Sequence, residues 1–76
     1  MNVIIYLSPT CPYCIELKKF LDEKKISHVD KDITQSKEIA EEAMKKSGQS
    51  SVPIIDIDGK IVVGFDKERI STLLKI

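Results

Sequence analysis

Val3-Ile4-Ile5-Tyr6-Leu7 is a short apolar run of mostly β-branched and aromatic residues that Ser8-Pro9-Thr10 stops, and it reads as a strand. From Cys11 the apolar period lengthens. Cys14, Leu17, Phe20 and Leu21 recur at helical spacing, with Glu16, Lys18, Lys19, Asp22 and Glu23 between them, which predicts an amphipathic helix to about Lys24. Thr10 is its expected N-cap, and Pro12 suits an early helical position because its missing N–H would be unpaired there anyway. Ile15 falls off the apolar stripe and is expected to be exposed near the start of this helix. Ile26–Asp30 predicts a second strand, and a strand–helix–strand link of this kind makes it parallel to the first.

The second half follows the same logic. Asp32–Ser36 is a polar connection with Thr34 or Ser36 as N-cap. A helix to Ser47 then sets Ile39, Ala40, Ala43 and Met44 on one face, with Met44 expected as core filler, Lys45 and Lys46 near the end and Gly48 as the stop. Gln49-Ser50-Ser51 is a loop leading to Val52-Pro53 and the run Ile54–Ile57. Asp58-Gly59 reads as a tight type I′ turn into Lys60–Val63, so the last strands form an antiparallel hairpin. Gly64 ends it, and Asp66 caps a final helix that carries Ile70, Leu73 and Leu74 inward. The order is β-α-β-α-β-β-α, an α/β chain whose first strand–helix turn sits at the carboxyl edge of the sheet, where such sheets place their sites.

At 76 residues the chain is expected to form a single domain, residues 1–76. Twelve basic and twelve acidic residues give no net charge, and aromatics are only 5% of the chain, which argues against a nucleic-acid surface. The first apolar run is too short for a membrane span and is not preceded by the charged segment of a signal peptide. A soluble, cytoplasmic, monomeric protein is the expectation.

Both cysteines lie in Cys11-Pro12-Tyr13-Cys14, at the junction of the first strand and helix. A thiol attacks as its thiolate, and free amide N–H groups at a helix N-terminus stabilise an anion, so Cys11 is the expected nucleophile. Cys14, close to one turn on, can reach that sulfur and displace what is bound to it. As a structural disulfide the pair would close too small a loop to stabilise much. As half of a zinc site it would need two further ligands, yet the chain has no other cysteine and a single histidine, His28, without ligand spacing. Lys18 and Lys19 read as solvated lysines, and His28 as an ordinary surface or half-buried residue. Asp56 and Asp58 are explained by strand alternation and turn chemistry rather than by metal binding.

The element order, Cys11-Pro12-Tyr13-Cys14, Ser51-Val52-Pro53 before the third strand, and Gly64-Phe65-Asp66 at the last helix together resemble a small dithiol glutaredoxin. The resemblance spans essentially the whole chain. It implies the thioredoxin fold, a four-stranded mixed sheet flanked by helices. It also implies thiol–disulfide oxidoreductase activity on protein disulfides and glutathione mixed disulfides, with glutathione as co-substrate and no tightly bound cofactor or metal. Cys11 and Cys14 would then be catalytic. Pro12, Tyr13, Ser51, Val52, Pro53, Gly64, Phe65 and Asp66 would form the glutathione site. In that resemblance Pro53 follows a cis bond, the Val52 backbone pairs with the extended peptide, Phe65 and Asp66 hold its γ-glutamyl end, and Tyr13 flanks the thiol.

The chain departs from the family pattern at three places. Ser8 stands where many glutaredoxins carry a lysine or arginine, Gln49-Ser50-Ser51 has no basic residue, and Val63-Gly64-Phe65 replaces a Gly-Gly turn. Weaker glutathione binding is therefore expected. The Gly-Phe pair is similar to glutaredoxin-like donors of ribonucleotide reductase, which thioredoxin reductase reduces, although their dithiol usually lacks the Pro-Tyr centre. An iron–sulfur carrier with Cys11 and glutathione as ligands fits less well, since Pro12 and Cys14 resemble the dithiol types that mostly do not bind a cluster.

Overall fold

The computed structural model describes residues 2–49 and 51–75, so Ser50 of the predicted loop lies outside the described residues. Strand β1 is Val3–Leu7, helix α1 Pro12–Glu23, β2 Val29–Asp32, α2 Lys37–Ser47, β3 Ile54–Ile57, β4 Lys60–Val63 and α3 Lys67–Leu74. The strands form one mixed sheet in the order β2-β1-β3-β4, with β1 parallel to β2 and antiparallel to β3, and β3 antiparallel to β4. Architecture and element order are those the sequence predicts, including the type I′ turn, where Asp58 and Gly59 have φ of 50° and 90°.

Alternation along the strands divides the apolar residues between the two faces of the sheet. Val3, Ile5, Ile55, Ile57 and Val62 pack with Leu17, Phe20 and Leu21 of α1 and Ile70 and Leu74 of α3. Tyr6 and Ile54 pack on the other face with Ala43 of α2. β3 is therefore buried on both faces, which its run of isoleucines suits.

Two expectations are corrected. The second strand runs over Val29–Asp32 rather than Ile26–Asp30, because Ile26 closes the preceding helix. The Lys25 amide donates to the Asp22 carbonyl at 3.1 Å and the Ile26 amide to the Leu21 carbonyl at 2.9 Å, with Lys25 left-handed at φ 58°. That is a Schellman closure, and it turns Ile26 back onto the core beside Leu21. Met44, expected in the core, is 50% exposed. The stripe of α2 that meets the sheet is instead Ile39, Glu42, Ala43 and Lys46, at helical spacing but half charged.

Those charges meet polar partners beneath them. Tyr6 donates its hydroxyl to Glu42, Lys31 Nζ lies 3.0 Å from the same carboxylate oxygen, and Lys46 Nζ lies 2.6 Å from Asp56 Oδ2. Both lysines also sit over the Tyr6 ring, at 5.8 and 5.3 Å from its centroid. Burial works to raise the Asp56 pKa, but the Lys46 ammonium and the Gly59 amide, 2.7 Å from Oδ1, outweigh it and hold the carboxyl below its usual range. Asp56 in turn pushes the Lys46 ammonium up.

Two predictions follow from this packing. Lys25→Gly should stabilise the fold by about 0.5 to 1 kcal/mol in urea unfolding, since a left-handed backbone costs a lysine more than the added freedom of the unfolded chain costs a glycine. Asp56→Asn should cost about 1 to 3 kcal/mol at pH 7, as expected for a hydrogen bond to a charged group. Because the folded pKa of Asp56 is depressed, its contribution is present above the unfolded value near ~3.9 and is lost as pH falls through the folded value. Unfolding series from pH 7 down to 3 should show the parent and variant curves converging in acid.

Candidate redox-active site

The site forms where the carboxyl end of β1 meets α1. The Cys11 amide donates to the Ser8 carbonyl at 3.2 Å, a turn that delays the helix by one residue beyond the expected start. The N-cap is consequently Cys11 itself rather than Thr10, with φ −88° and ψ 113°, and its sulfur accepts the Cys14 amide at 3.3 Å. Thr10 is exposed, its hydroxyl 3.5 Å from that of Ser8. The Cys11 sulfur thus occupies the position at which serine or threonine oxygens cap other helices.

The two sulfurs are unequal. Cys11 retains 9% of its surface and Cys14 only 1%. Burial, followed by its hydrogen bond with Cys11, pushes the Cys14 thiol up to about 12, so it is a neutral thiol at physiological pH. Both are free thiols, the reduced form of the pair.

Across from the dithiol lies the 52–53 segment. The Cys11 thiol points at the Val52 carbonyl, 3.8 Å away, the Val52–Pro53 bond is cis, and the Pro53 carbonyl accepts the Gly64 amide at 2.8 Å. The structure thereby links Cys11 and Cys14 to Val52, Pro53 and Gly64. Phe65 follows Gly64 and is half-buried, its ring 5.9 Å from that of Phe20. Asp66 caps α3 by accepting the Arg69 amide at 3.2 Å, as expected. Pro12, Tyr13 (60% exposed) and Ser51 are exposed beside this segment or the dithiol in sequence. Among the described residues no hydrogen bond joins Tyr13, Ser51 or Asp66 to Cys11.

Other candidates have separate roles. Ile15 is exposed, as its position off the stripe predicts. Lys18 pairs with Asp30 at 3.3 Å, and His28 lies between Asp30 (2.6 Å) and Asp22 (3.1 Å). Asp58 Oδ1 accepts the Asn2 amide at 2.7 Å. Among the described residues no group of three or more His, Cys, Asp or Glu could hold a metal ion. Two concavities, about 510 Å³ beside Asp22, Lys25 and His28 and about 400 Å³ along Glu38, Glu41 and Lys45, do not include Cys11. The capping sulfur and the Val52 carbonyl facing it are features that sequence reasoning missed. Neither has a local signal, since one depends on a turn closing at Ser8 and the other on a residue far along the chain.

The chain as a whole is similar to known proteins. Residues 3–62 match the glutaredoxin family. The chain is 44% identical over 71 residues to a glutaredoxin-like 8.6 kDa protein in the rubredoxin operon of Clostridium pasteurianum, covering 93% of this chain and 95% of that one. It is 40% identical over 65 residues to glutaredoxin 3 of Escherichia coli, covering 86% and 78%. The crystal structure of the glutaredoxin grx-1 from Archaeoglobus fulgidus aligns with a TM-score of 0.90 at 26% identity, covering 99% of this chain and 87% of that one. Among the described residues no helix is long and apolar enough to cross a membrane.

The asymmetry of the dithiol has a direct readout. Brief treatment of the reduced protein with iodoacetamide at pH 7 should label Cys11 and leave Cys14 unmodified, and peptide mass mapping checks it. Equal labelling of both would contradict the burial and protonation described for Cys14.

Proposed function

The chain belongs to the glutaredoxin family of thiol–disulfide oxidoreductases, and we propose that glutathione is its reductant and Cys11 its nucleophile. The observation that carries the reading is the hydrogen bond from the Cys14 amide to Cys11 Sγ, which makes the more accessible sulfur the helix cap. In the proposed cycle the Cys11 thiolate attacks one sulfur of a substrate disulfide. A mixed disulfide forms, and the other substrate sulfur leaves as a thiolate that takes up a proton. Cys14 then gives up its proton and attacks Cys11 Sγ, which releases the second substrate thiol and leaves a Cys11–Cys14 disulfide. One glutathione thiolate opens that bond at Cys11 and returns Cys14 to the thiol. A second attacks the glutathionyl sulfur, which yields oxidised glutathione and the Cys11 thiolate. No tightly bound cofactor enters.

Glutathione would lie extended against the Val52 backbone, flanked by Pro12, Tyr13, Ser51 and Pro53, with its γ-glutamyl end toward Gly64, Phe65 and Asp66. The 3.8 Å approach of the Val52 carbonyl to Cys11 Sγ supports this, because a strand paired there would bring its own sulfur close to the nucleophile. The uncharged Ser8, Gln49 and Ser51 leave the opposite end without a cation, which weakens binding by up to about 1 kcal/mol, the worth of an exposed ion pair. Glutaredoxin potentials near roughly −200 to −230 mV let a cytosolic glutathione pool reduce the pair, so the reading places a monomeric, single-domain protein in the cytoplasm acting on protein disulfides. Glutaredoxin 3 of Escherichia coli and grx-1 of Archaeoglobus fulgidus are among the relatives matched, and they do not favour the ribonucleotide-reductase donor alternative.

The oxidised protein equilibrated with reduced glutathione, with thiols trapped and masses read, tests the cycle. The parent should become fully reduced, and Cys14→Ser should accumulate one glutathione adduct on Cys11. A parent that stays oxidised under glutathione, yet is reduced by NADPH with thioredoxin reductase, would overturn glutathione dependence.

A further inference from the structure

Phe20 lies on α1 and belongs to the main core, and its ring has two specific partners, Phe65 packed at the edge of that core and Lys67 outside it. The Phe65 ring approaches at 5.9 Å between centroids with the planes inclined by 59°, and Lys67 Nζ stands 5.3 Å from the Phe20 centroid. Phe65 and Lys67 bracket Asp66, the cap of α3. Side chains on a helix lean toward its N-terminus, so the Phe20 ring is carried toward the dithiol end of α1. Three segments are consequently joined in a closed circuit. Cys11 meets the Val52 carbonyl, the Pro53 carbonyl holds the Gly64 amide, and Phe65 and Lys67 return to α1 through Phe20.

We propose that Phe20 and Lys67 are positioning residues that fix the Gly64–Asp66 turn relative to Cys11 and so set the fit of the thiol substrate between them. The inference rests on the reading that this turn holds the γ-glutamyl end of glutathione. Neither residue touches the sulfur. Lys67 is exposed, and Phe20 presents to it an aromatic face that an aliphatic side chain lacks. Without this latch the turn must be ordered each time substrate binds. The cost falls on binding, and the thiol chemistry of Cys11, held by its own helix, is untouched.

The test is steady-state turnover of a peptide–glutathione mixed disulfide by the parent, Lys67→Met and Phe20→Leu, with the iodoacetamide rate of Cys11 measured in each. Lys67→Met should raise KM about 2- to 5-fold, as the loss of a cation–π contact implies. Phe20→Leu, which also loses the ring pair, should raise it about tenfold. In both, kcat and the alkylation rate should stay at the parent's values. Should Phe20→Leu fail to fold, the surface variant Lys67→Met carries the test alone. A parent that turns over this substrate while the folded variants match its KM sinks the latch and leaves glutathione use standing. Variants in which kcat and alkylation fall together with kcat/KM reveal general loosening and also sink it. A parent with no glutathione-dependent turnover overturns the underlying reading, and the latch with it.

Discussion

The hydrogen bond from the Cys14 amide to Cys11 Sγ is the constraint on which the site depends. It makes the Cys11 sulfur the cap of the helix that follows, so moving the sulfur away leaves the Cys14 amide without its partner. The same bond fixes Cys14 one turn below, against the core, where burial keeps it protonated. The two sulfurs therefore have unequal surroundings, with Cys11 at the edge of the core and Cys14 inside it. Everything else in the fold positions that first turn. β1 delivers the chain to it, the Ser8 carbonyl closes the bend before it, and Val52 faces it.

The sheet supports this turn differently on its two faces. On the α1 and α3 side the core is aliphatic and aromatic and holds the dithiol helix by non-directional burial. On the α2 side a small apolar cluster is completed by Tyr6, Glu42, Lys31, Lys46 and Asp56, whose directional bonds fix how α2 lies across the strands. Tyr6 precedes the last residue of β1, so this polar group anchors the strand that leads into the site. Breaking such a network by removing one partner costs more than its intact form contributes, because the remaining charge is left desolvated.

Much of this was readable in order along the chain because it rests on short-range physics. The spacing of Cys14, Leu17, Phe20 and Leu21 demands a helix with one buried face. Asp58-Gly59 demands a turn with two left-handed residues, and Asp66 and Ser36 offer oxygens where helices begin. The Cys-Pro-Tyr-Cys motif at a strand–helix junction marks its own chemistry, and the motifs around Val52-Pro53 and Gly64-Phe65-Asp66 carry the resemblance to glutaredoxins. The extent of the second strand and the burial of Met44 were misread because an apolar count treats each segment alone. Ile26 is apolar enough for a strand but is captured by the end of α1, and α2 faces the sheet with Glu42 and Lys46 because Tyr6 and Asp56 wait beneath them.

By itself, then, the sequence determined the elements, their order, the parallel strand–helix–strand unit and the placing of both cysteines at its first turn, since each follows from residues within a few positions of one another. Only the tertiary structure decided which atom caps the dithiol helix, that Val52 faces the sulfur across 41 positions of chain, that Lys46 neutralises a buried aspartate, and that Phe20 joins the dithiol helix to the turn before α3. These are meetings between segments whose separation along the chain carries no signal of the contact. Their geometry exists only once the sheet has closed and both of its faces are covered.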